Sequence, residues 1–322
     1  MNGERPRTLR QTCPEPSRRA QGGWGLYFDA LEASKGWNAP PNSKRCGNEY
    51  AGRISLMADV TASSRVLTPT LMSGDDIRLR LLSFNIHVGL DSRHPIHYLT
   101  NAWRHALPGP GSRAHLDRIA EVMQGYDFVA VQEADAGSLR TRQVNLLEYL
   151  AKRAGYSYWG HSITRNLPPF ARHSLGYLSR FEPNNVVEHV LPSSIPGRRA
   201  VTLNLGPTAG GLHLMVTHLS LGRGSRQRQL DFLSARVPAG GPVVLLGDLN
   251  CEPEILRRHE GLKRSGLWLP DSNPATFPSW KPRQRLDHVL VTPHVDIHRV
   301  EALTDVLSDH LPLAIDIGIR SR

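Results

Sequence analysis

The stretch "VVLLGDLN", Val243 to Asn250, joins an apolar run to two polar residues. Four apolar residues and a glycine predict a buried core strand. Residues two apart share a strand face, so Asp248 and Asn250 leave this strand on the same side. Taken alone, the pair fits an ordinary turn better than a site at a sheet edge, because Asp and Asn after Gly readily bond their own backbone. The choice depends on whether other strands end in the same way.

The bulk composition is typical of a soluble globular protein. The chain has 322 residues, enough for one large α/β domain or two small ones. Its formal charge is +10 and its pI is about 9.9. A basic, arginine-rich chain suits contact with a partner that bears phosphate, such as nucleic acid or anionic lipid. The same charge could merely keep the protein soluble, and composition leaves both interpretations open.

Three cysteines, Cys13, Cys46 and Cys251, are too few and too scattered for a disulfide framework or a zinc motif. A reducing compartment is the simpler inference. The sequence contains no run near the roughly 18 apolar residues of a membrane span, and its start lacks the apolar core of a secretory signal. We therefore expect a cytoplasmic protein.

Residues 1–75 are rich in Gly, Pro, Ser, Asn and Arg and show no apolar period of 2 or 3.6. We predict a disordered or non-native N-terminal extension, with the folded domain at residues 76–322. A natural start at Met72 would lead directly into the first strong strand. Targeting is the functional alternative, although acidic residues such as Glu4 and Glu15 count against a transit peptide.

Strands and helices alternate from residue 76 onward. The predicted strands are 78–86, 127–134, 174–180, 200–205, 212–219, 242–249, 286–292 and 311–319. The predicted helices are 114–125, 142–155 and 225–237, each with apolar residues three and four apart. So many strands exceed one simple parallel sheet. We expect an α/β fold with two mixed sheets packed face to face and helices outside.

The pattern seen in "VVLLGDLN" recurs along the chain, because six apolar strands carry polar residues at one end. These residues are Asn85, His87, Gln132, Glu133, His218, Asp248, Asn250, Asp287, Asp309 and His310. Each would be costly to bury without a partner. Any one of them could be a satisfied structural residue, but the recurrence favours a functional site.

The side chains in this set suit one kind of chemistry. Carboxylates with an amide oxygen and no thiolate fit a hard divalent ion, Mg²⁺ or Mn²⁺, better than zinc. Histidines offer proton transfer or hydrogen bonds near neutral pH. Attack of water on a phosphate ester needs a metal to offset charge, a base to orient water and cationic donors to phosphorus.

Seven motifs occur in order over residues 78–319: "SFNIH", "VQEAD", "GYLSR", "THL", "GDLN", "LDHVLV" and "SDHLPL". Together they resemble the signature of the endonuclease/exonuclease/phosphatase superfamily, which includes deoxyribonucleases, exonuclease III and sphingomyelinases. Two further stretches, "THLSLGRGSRQRQL" and "PATFPSWKPRQRLDHVLV", look like small stand-alone bacterial members of unassigned substrate.

The resemblance implies a four-layered α/β sandwich with its site at one rim of two central sheets. It implies that Glu133 is the principal metal ligand, with Asn85 beside it and Asp309 as a further carboxylate.

The resemblance also implies the catalytic residues. Asp248 and Asn250 match the pair that orients the attacking water and holds phosphate oxygens. His310 matches the histidine that contacts the scissile phosphate, oriented by Asp287. His218 matches a second phosphate-site histidine of the deoxyribonuclease and sphingomyelinase branches.

Several positions keep two interpretations. Arg223, Arg226 and Arg228 could bind a substrate phosphate, or form the solvated first turn of the following helix, which we favour. Trp280 could stack on a base or pack in the core, and the core is the favoured place. The basic loop 165–174 is expected to border the site. Histidines without motif support, among them His87 and His173, are expected in surface or core roles.

The sequence therefore predicts a Mg²⁺- or Mn²⁺-dependent phosphoesterase. Its substrate would be a phosphodiester, or a phosphomonoester, in nucleic acid, in a phospholipid head group or in another soluble phosphate. We expect a monomer without a stable protein partner, with peripheral contact to anionic surfaces as an option. The alternative is a non-catalytic phosphate-binding module of the same fold.

Overall fold

The computed structural model describes residues 77–89 and 112–320 of the chain. The predicted N-terminal extension, residues 1–75, lies outside the described residues. No helix among the described residues is long and apolar enough to cross a membrane.

The described residues form two mixed β-sheets. The strands are β1 (Ile77–Asn85), β2 (Phe128–Asp135), β3 (Tyr158–Leu167), β4 (Ala171–Ser179), β5 (Asn184–Val190), β6 (Arg199–Asn204), β7 (His213–His218), β8 (Val243–Asp248), β9 (Asp287–Val291), β10 (Val295–Ala302) and β11 (Leu313–Ile319). The six-stranded sheet has the order β10-β11-β1-β2-β4-β3, and the five-stranded sheet has the order β5-β6-β7-β8-β9. Parallel pairs, β1 with β2 and β7 with β8, lie near the centre of each sheet.

The helices lie before or between strands along the chain. They are α1 (Ser112–Met123), α2 (Leu146–Ala154), α3 (Arg223–Ser234), α4 (Pro253–Arg258) and α5 (Glu260–Arg264). Helix α2 shows why such segments begin and end where they do. The side chain of Asn145 accepts hydrogen bonds from the first-turn amides, and Gly155 closes the helix with a φ of 75°.

Three apolar clusters separate four layers. The central cluster joins the two sheets and includes Leu81 and Leu246. A second cluster packs the outer face of the six-stranded sheet, including Leu82, against α1 and α2. The third packs the outer face of the other sheet, including Leu245, against α3, α4 and α5. Adjacent residues thus enter different clusters, because successive strand side chains point to opposite faces. The predicted four-layered α/β sandwich is confirmed.

All eight predicted strands and all three predicted helices are present, with ends shifted by a few residues. The predictions missed the strands β3, β5 and β10 and the short helices α4 and α5. Each missed strand lies at the edge of its sheet. An edge strand has one unpaired side and is partly solvated, so it does not need a continuous apolar run.

Candidate functional site

The polar strand ends meet at one rim of the sandwich. Strands β1, β2, β7 and β8 deliver their C-terminal ends there. Strands β9 and β11 run antiparallel to β8 and β1, so they deliver their N-terminal ends to the same rim. In the five-stranded sheet, Asp248 is paired in register with His218 on one side and with Asp287 on the other.

Strand alternation directs these side chains into the space between the sheets. Asp248 has the same parity as Val244 and Leu246, which belong to the central cluster. The same parity relation links His218 to Val216 and Asp287 to Val289. These three polar side chains therefore face the space between the two sheets, at the edge of the central apolar cluster.

Glu133 departs from this alternation. Gln132 has the inward parity of Phe128 and Ala130, and it is fully buried, with its amide donating to Ser83 Oγ at 3.3 Å. The pairing of β2 with β4 shifts between Val131 and Ala134, and Glu133 has a φ of 53°. A β-bulge re-aims a side chain. Here it brings the Glu133 carboxylate into the rim cluster.

Left-handed backbone is concentrated at this rim. His87, Glu133 and Asn250 have φ values of 42°, 53° and 52°, and Val88 has a φ of 60°. Such conformations cost about 1–3 kcal/mol per non-glycine residue, and for a β-branched valine they are rare. Strain of this kind persists where the surroundings impose it, which is typical of functional sites.

Close packing of β7 and β8 places His218 beside Asp248. Gly247 has a φ of 144°, and a Cβ there would lie 1.9 Å from the carbonyl oxygen of Thr217. Only glycine permits this approach.

His87 lies between two of the predicted metal-site carboxylates, a position that the sequence interpretation missed. Its Nδ1 is 3.1 Å from Asp309 Oδ2 and 3.7 Å from Glu133 Oε2. Its backbone N–H donates to Asn85 Oδ1 at 3.1 Å. Burial lowers the pKa of His87, but the hydrogen bond to Asp309 and the charges of Asp309 and Glu133 raise it to a net value above 6.5. The signal available in the sequence was its place two residues after Asn85, on a strand end.

Asp287 and His310 form a buried hydrogen-bonded pair. His310 Nδ1 lies 2.7 Å from Asp287 Oδ2, and the same oxygen accepts a hydrogen bond from Thr276 Oγ1 at 2.5 Å. The Phe277 ring packs on the imidazole, with centroids 4.9 Å apart. Burial lowers the pKa of His310, while the charges of Asp287 and Asp248 raise it, to about 10 overall. His310 is therefore an imidazolium at neutral pH.

Asp248 is the centre of the cluster. Its Oδ2 accepts a hydrogen bond from Asn85 Nδ2 at 3.2 Å and lies 3.9 Å from His310 Nε2. Burial raises the pKa of Asp248 to about 7, with the neighbouring charges of Asp287 and Glu133 acting in the same direction and His310 opposing them. A carboxyl group that titrates near neutral pH can both accept and release a proton there.

His218 and Asn250 border Asp248. His218 Nε2 is 3.4 Å from Asp248 Oδ2 and 3.9 Å from Glu133 Oε1. Burial and the positive charge of Arg198 hold the pKa of His218 well below 6.5, so the imidazole is neutral at neutral pH. The Asn250 backbone N–H donates to Asp248 Oδ1 at 3.0 Å, and its side-chain amide donates to the carbonyl of Leu219 at 3.0 Å. Asn250 thus positions Asp248 from a strained turn.

The structure brings every predicted site residue to this rim. The predicted metal-site residues Glu133, Asn85 and Asp309 all lie around His87, and Asn85 also contacts Asp248. Asp248, Asp287 and His310 offer ligand atoms that lie within 4.8 Å of one another. Within that trio, His310 is held to Asp287 by a hydrogen bond.

The remaining predictions have mixed outcomes. Arg226 is buried, where a solvated first turn was favoured, and its guanidinium donates to the carbonyl of Leu221 at 2.7 Å. Arg228 donates to Ser194 Oγ at 3.1 Å. Trp280 is half-buried, neither in the core nor fully exposed. Residues 165–174 form the tip of the β3–β4 hairpin, and Arg165 and His173 line a cavity beside the site, as the border role required.

The model of the Endonuclease/Exonuclease/phosphatase family matches residues 82–310. The chain belongs to this family, and all the rim residues described above lie within the matched range. Comparison with curated proteins gives no match.

Solved structures share the fold. An endonuclease/exonuclease/phosphatase from Beutenbergia cavernae DSM 12333 has 23% sequence identity and a TM-score of 0.61, over 76% of this chain and 72% of that one. A mannosyl-6-phosphatase of Bacteroides thetaiotaomicron VPI-5482 has 14% identity and a TM-score of 0.54, over 74% and 99%. Sphingomyelinase C from Streptomyces griseocarneus has 18% identity and a TM-score of 0.51, over 76% and 99%.

Proposed function

We propose that the protein is a metal-dependent phosphoesterase that hydrolyses its substrate by attack of water on phosphorus. The observation that carries this proposal is the convergence of Asp248, Asp287, His218 and His310 with the Glu133 and Asp309 carboxylates at one rim of the family's fold. Such a cluster supplies a base, a cationic donor and ligands for a hard cation.

The rim carboxylates fit a divalent ion. Glu133 and Asp309 both approach His87 Nδ1, and the amide oxygen of Asn85 accepts from the backbone N–H of the same residue. Carboxylate and amide oxygens without a thiolate suit Mg²⁺ or Mn²⁺. Glu133, Asn85 and Asp309 would hold the ion, which when bound would offset the negative charge that builds on the phosphate.

The protein's own groups would handle protons and orientation. His310, protonated and held by Asp287, would donate a hydrogen bond to a phosphate oxygen. Asp248, with its pKa near 7, would orient the attacking water and take its proton. His218, neutral and adjacent to Asp248, would contact a second phosphate oxygen, and Asn250 would keep the Asp248 carboxylate in place.

The substrate is a phosphate ester, with nucleic acid and phospholipid head groups as the two classes suggested by sequence. Solved structures of the same fold carry the names of both a sugar phosphatase and a sphingomyelinase. A monomeric state, contact with anionic surfaces and a cytoplasmic location stay predictions. A non-catalytic phosphate-binding module is the competing function, and it predicts binding without turnover.

The deciding experiment compares Glu133→Gln with the wild-type chain. The substitution removes one negative charge from the metal site and nearly preserves shape, so turnover of bis-p-nitrophenyl phosphate with Mg²⁺ or Mn²⁺ should fall by about two orders of magnitude or more. Glu260→Gln, at an exposed position on α5, is the matched control and should keep full activity. Undiminished turnover in chelator, or in Glu133→Gln, would contradict metal dependence. Phosphate binding without any turnover would favour the non-catalytic module.

A further inference from the structure

A cavity of about 530 Å³ opens beside the catalytic rim. Its walls come from three separate segments: the β3–β4 hairpin, the loop before β6 and the loop that leads into α3. Glu133 and His218 belong to its lining, so the cavity is continuous with the catalytic groups. Its volume is in the range of ligand pockets and exceeds what one phosphate group requires.

Each wall contributes one arginine. Arg165 lies on β3, Arg198 lies in the loop before β6, and Arg223 begins α3. Within the part of the chain that the structure describes, none of the three guanidinium groups has an ion pair or a side-chain hydrogen bond. Three like charges around one cavity favour an anion between them.

Neighbouring arginines in the sequence show the contrast. Arg199 forms an ion pair with Glu188 at 3.2 Å. Arg226 donates to backbone carbonyls, and Arg228 donates to Ser194 Oγ. These side chains serve the structure, whereas the three that line the cavity remain available to a ligand.

The cavity is positive at neutral pH. Its lining has a single carboxylate, that of Glu133, which is the proposed metal ligand. Burial lowers the pKa of His173 to about 4, so this imidazole adds no charge at neutral pH. Three arginines against one carboxylate set the sign of the cavity.

We propose that this cavity is a subsite for a second phosphate group of the substrate, held by Arg165, Arg198 and Arg223. The proposal rests on the phosphoesterase function and deepens it. The substrate class would be compounds with at least two phosphates, one cleaved at the rim and one bound in the cavity. Guanidinium groups bind phosphate through paired, charge-assisted hydrogen bonds. A cationic choline group would be repelled by the same arginines, so a phosphocholine head group does not fit this cavity.

Matched pairs of substrates test the proposal and separate two sources of the second phosphate. The nucleotide pair is thymidine 5′-(p-nitrophenyl phosphate) with and without a 3′-phosphate. The polyol pair is glycerophosphoinositol with and without a 4-phosphate. We expect kcat/KM to be at least about tenfold higher for the bisphosphorylated member of one pair. The pair that shows the preference identifies the source.

Arginine substitutions connect that preference to the cavity. Arg165→Gln and Arg223→Gln should each reduce the ratio of the two kcat/KM values. The triple variant, which adds Arg198→Gln to both, should bring the ratio close to one. Arg264→Gln, an exposed arginine on α5 outside the cavity lining, is the control and should keep the wild-type ratio. Melting midpoints confirm that every variant is folded. A ratio near one in both pairs for the wild type, or a ratio that the triple variant retains, would overturn the subsite.

Calorimetry keeps the subsite and the catalytic proposal distinguishable. Thymidine 3′,5′-bisphosphate should bind the wild-type chain at least about tenfold more tightly than thymidine 5′-phosphate, or inositol 1,4-bisphosphate more tightly than inositol 1-phosphate. The triple variant should lose this difference. If no substrate is hydrolysed but the difference is present, the phosphoesterase function fails and the anion subsite holds. Equal affinities within both pairs overturn the subsite whatever the turnover.

Discussion

Replacing Asp287 by asparagine should lower the pKa of His310, so that its imidazole loses its proton at a lower pH. The Asp287 side chain is fully buried, and its Oδ2 receives both His310 Nδ1 and Thr276 Oγ1. Burial lowers the pKa of His310, and the charge of Asp287 is the largest influence that raises it. Asp287→Asn preserves the shape and removes that charge.

The structure sets the expected magnitude. The rise in the pKa of His310 from 6.5 to about 10 corresponds to a net of about 5 kcal/mol, in which burial opposes the contributions of Asp287, Asp248 and Asp309. If the variant returns the pKa to about 6.5, roughly 3% of His310 is protonated at pH 8, and the rate falls about thirtyfold. At pH 6 the loss from this cause is less than about twofold.

The sign of the stability effect follows from the same rise. A group whose folded pKa exceeds its unfolded value stabilises the protein fully below the unfolded pKa, and that stability is lost as pH rises through the folded value. The pair therefore stabilises the wild-type protein below about pH 6.5, and the contribution declines toward pH 10.

The assay is the pH profile of kcat/KM for the wild type, Asp287→Asn, His310→Ala and the double variant. The alkaline limb should move toward neutral pH in Asp287→Asn, and the double variant should lose far less than the sum of the single losses. Thr276→Val removes a donor to the same oxygen without removing charge, and it should leave the alkaline limb near its wild-type position. Strict additivity, equal losses at pH 6 and pH 8, or a change confined to the melting midpoint would refute the coupled pair.

Three further predictions concern folding. A chain that begins at Met72 should fold and keep its activity, because residues 1–71 lack the apolar pattern that offsets ordering entropy; an insoluble or inactive product would place them in the domain. Gly247→Ala should lower the free energy of unfolding, measured by denaturant titration, by more than about 1 kcal/mol, because its Cβ would collide with a carbonyl of β7. Gly241→Ala is the control and should leave that free energy nearly unchanged, because no atom lies near its Cβ position. Arg140→Met should lower that free energy by about 3 kcal/mol because it removes the ion pair at 2.6 Å from the fully buried Asp135, and an unchanged unfolding midpoint would contradict this.

The strands were predictable according to their position in the sheet. Strand β8, "VVLLGD", is apolar on both faces because it lies between the central cluster and the outer one. Strand β5, "NNVVEHV", is half solvated at a sheet edge, and its residues carry no continuous apolar signal. Periodicity reports burial on two faces, so it detects central strands and overlooks edges.

The sequence by itself determined which polar residues stand at the strand ends, because alternation and strand termination are local properties of the chain. It could not determine which of them touch. Asn85 and Asp248 are 163 residues apart, and only the pairing of two sheets brings their side chains to 3.2 Å. Tertiary structure also decided that the β2 bulge carries Glu133 into the rim and that His87 lies between two carboxylates. Such contacts arise from the packing of distant segments, which local hydrophobic patterns do not encode.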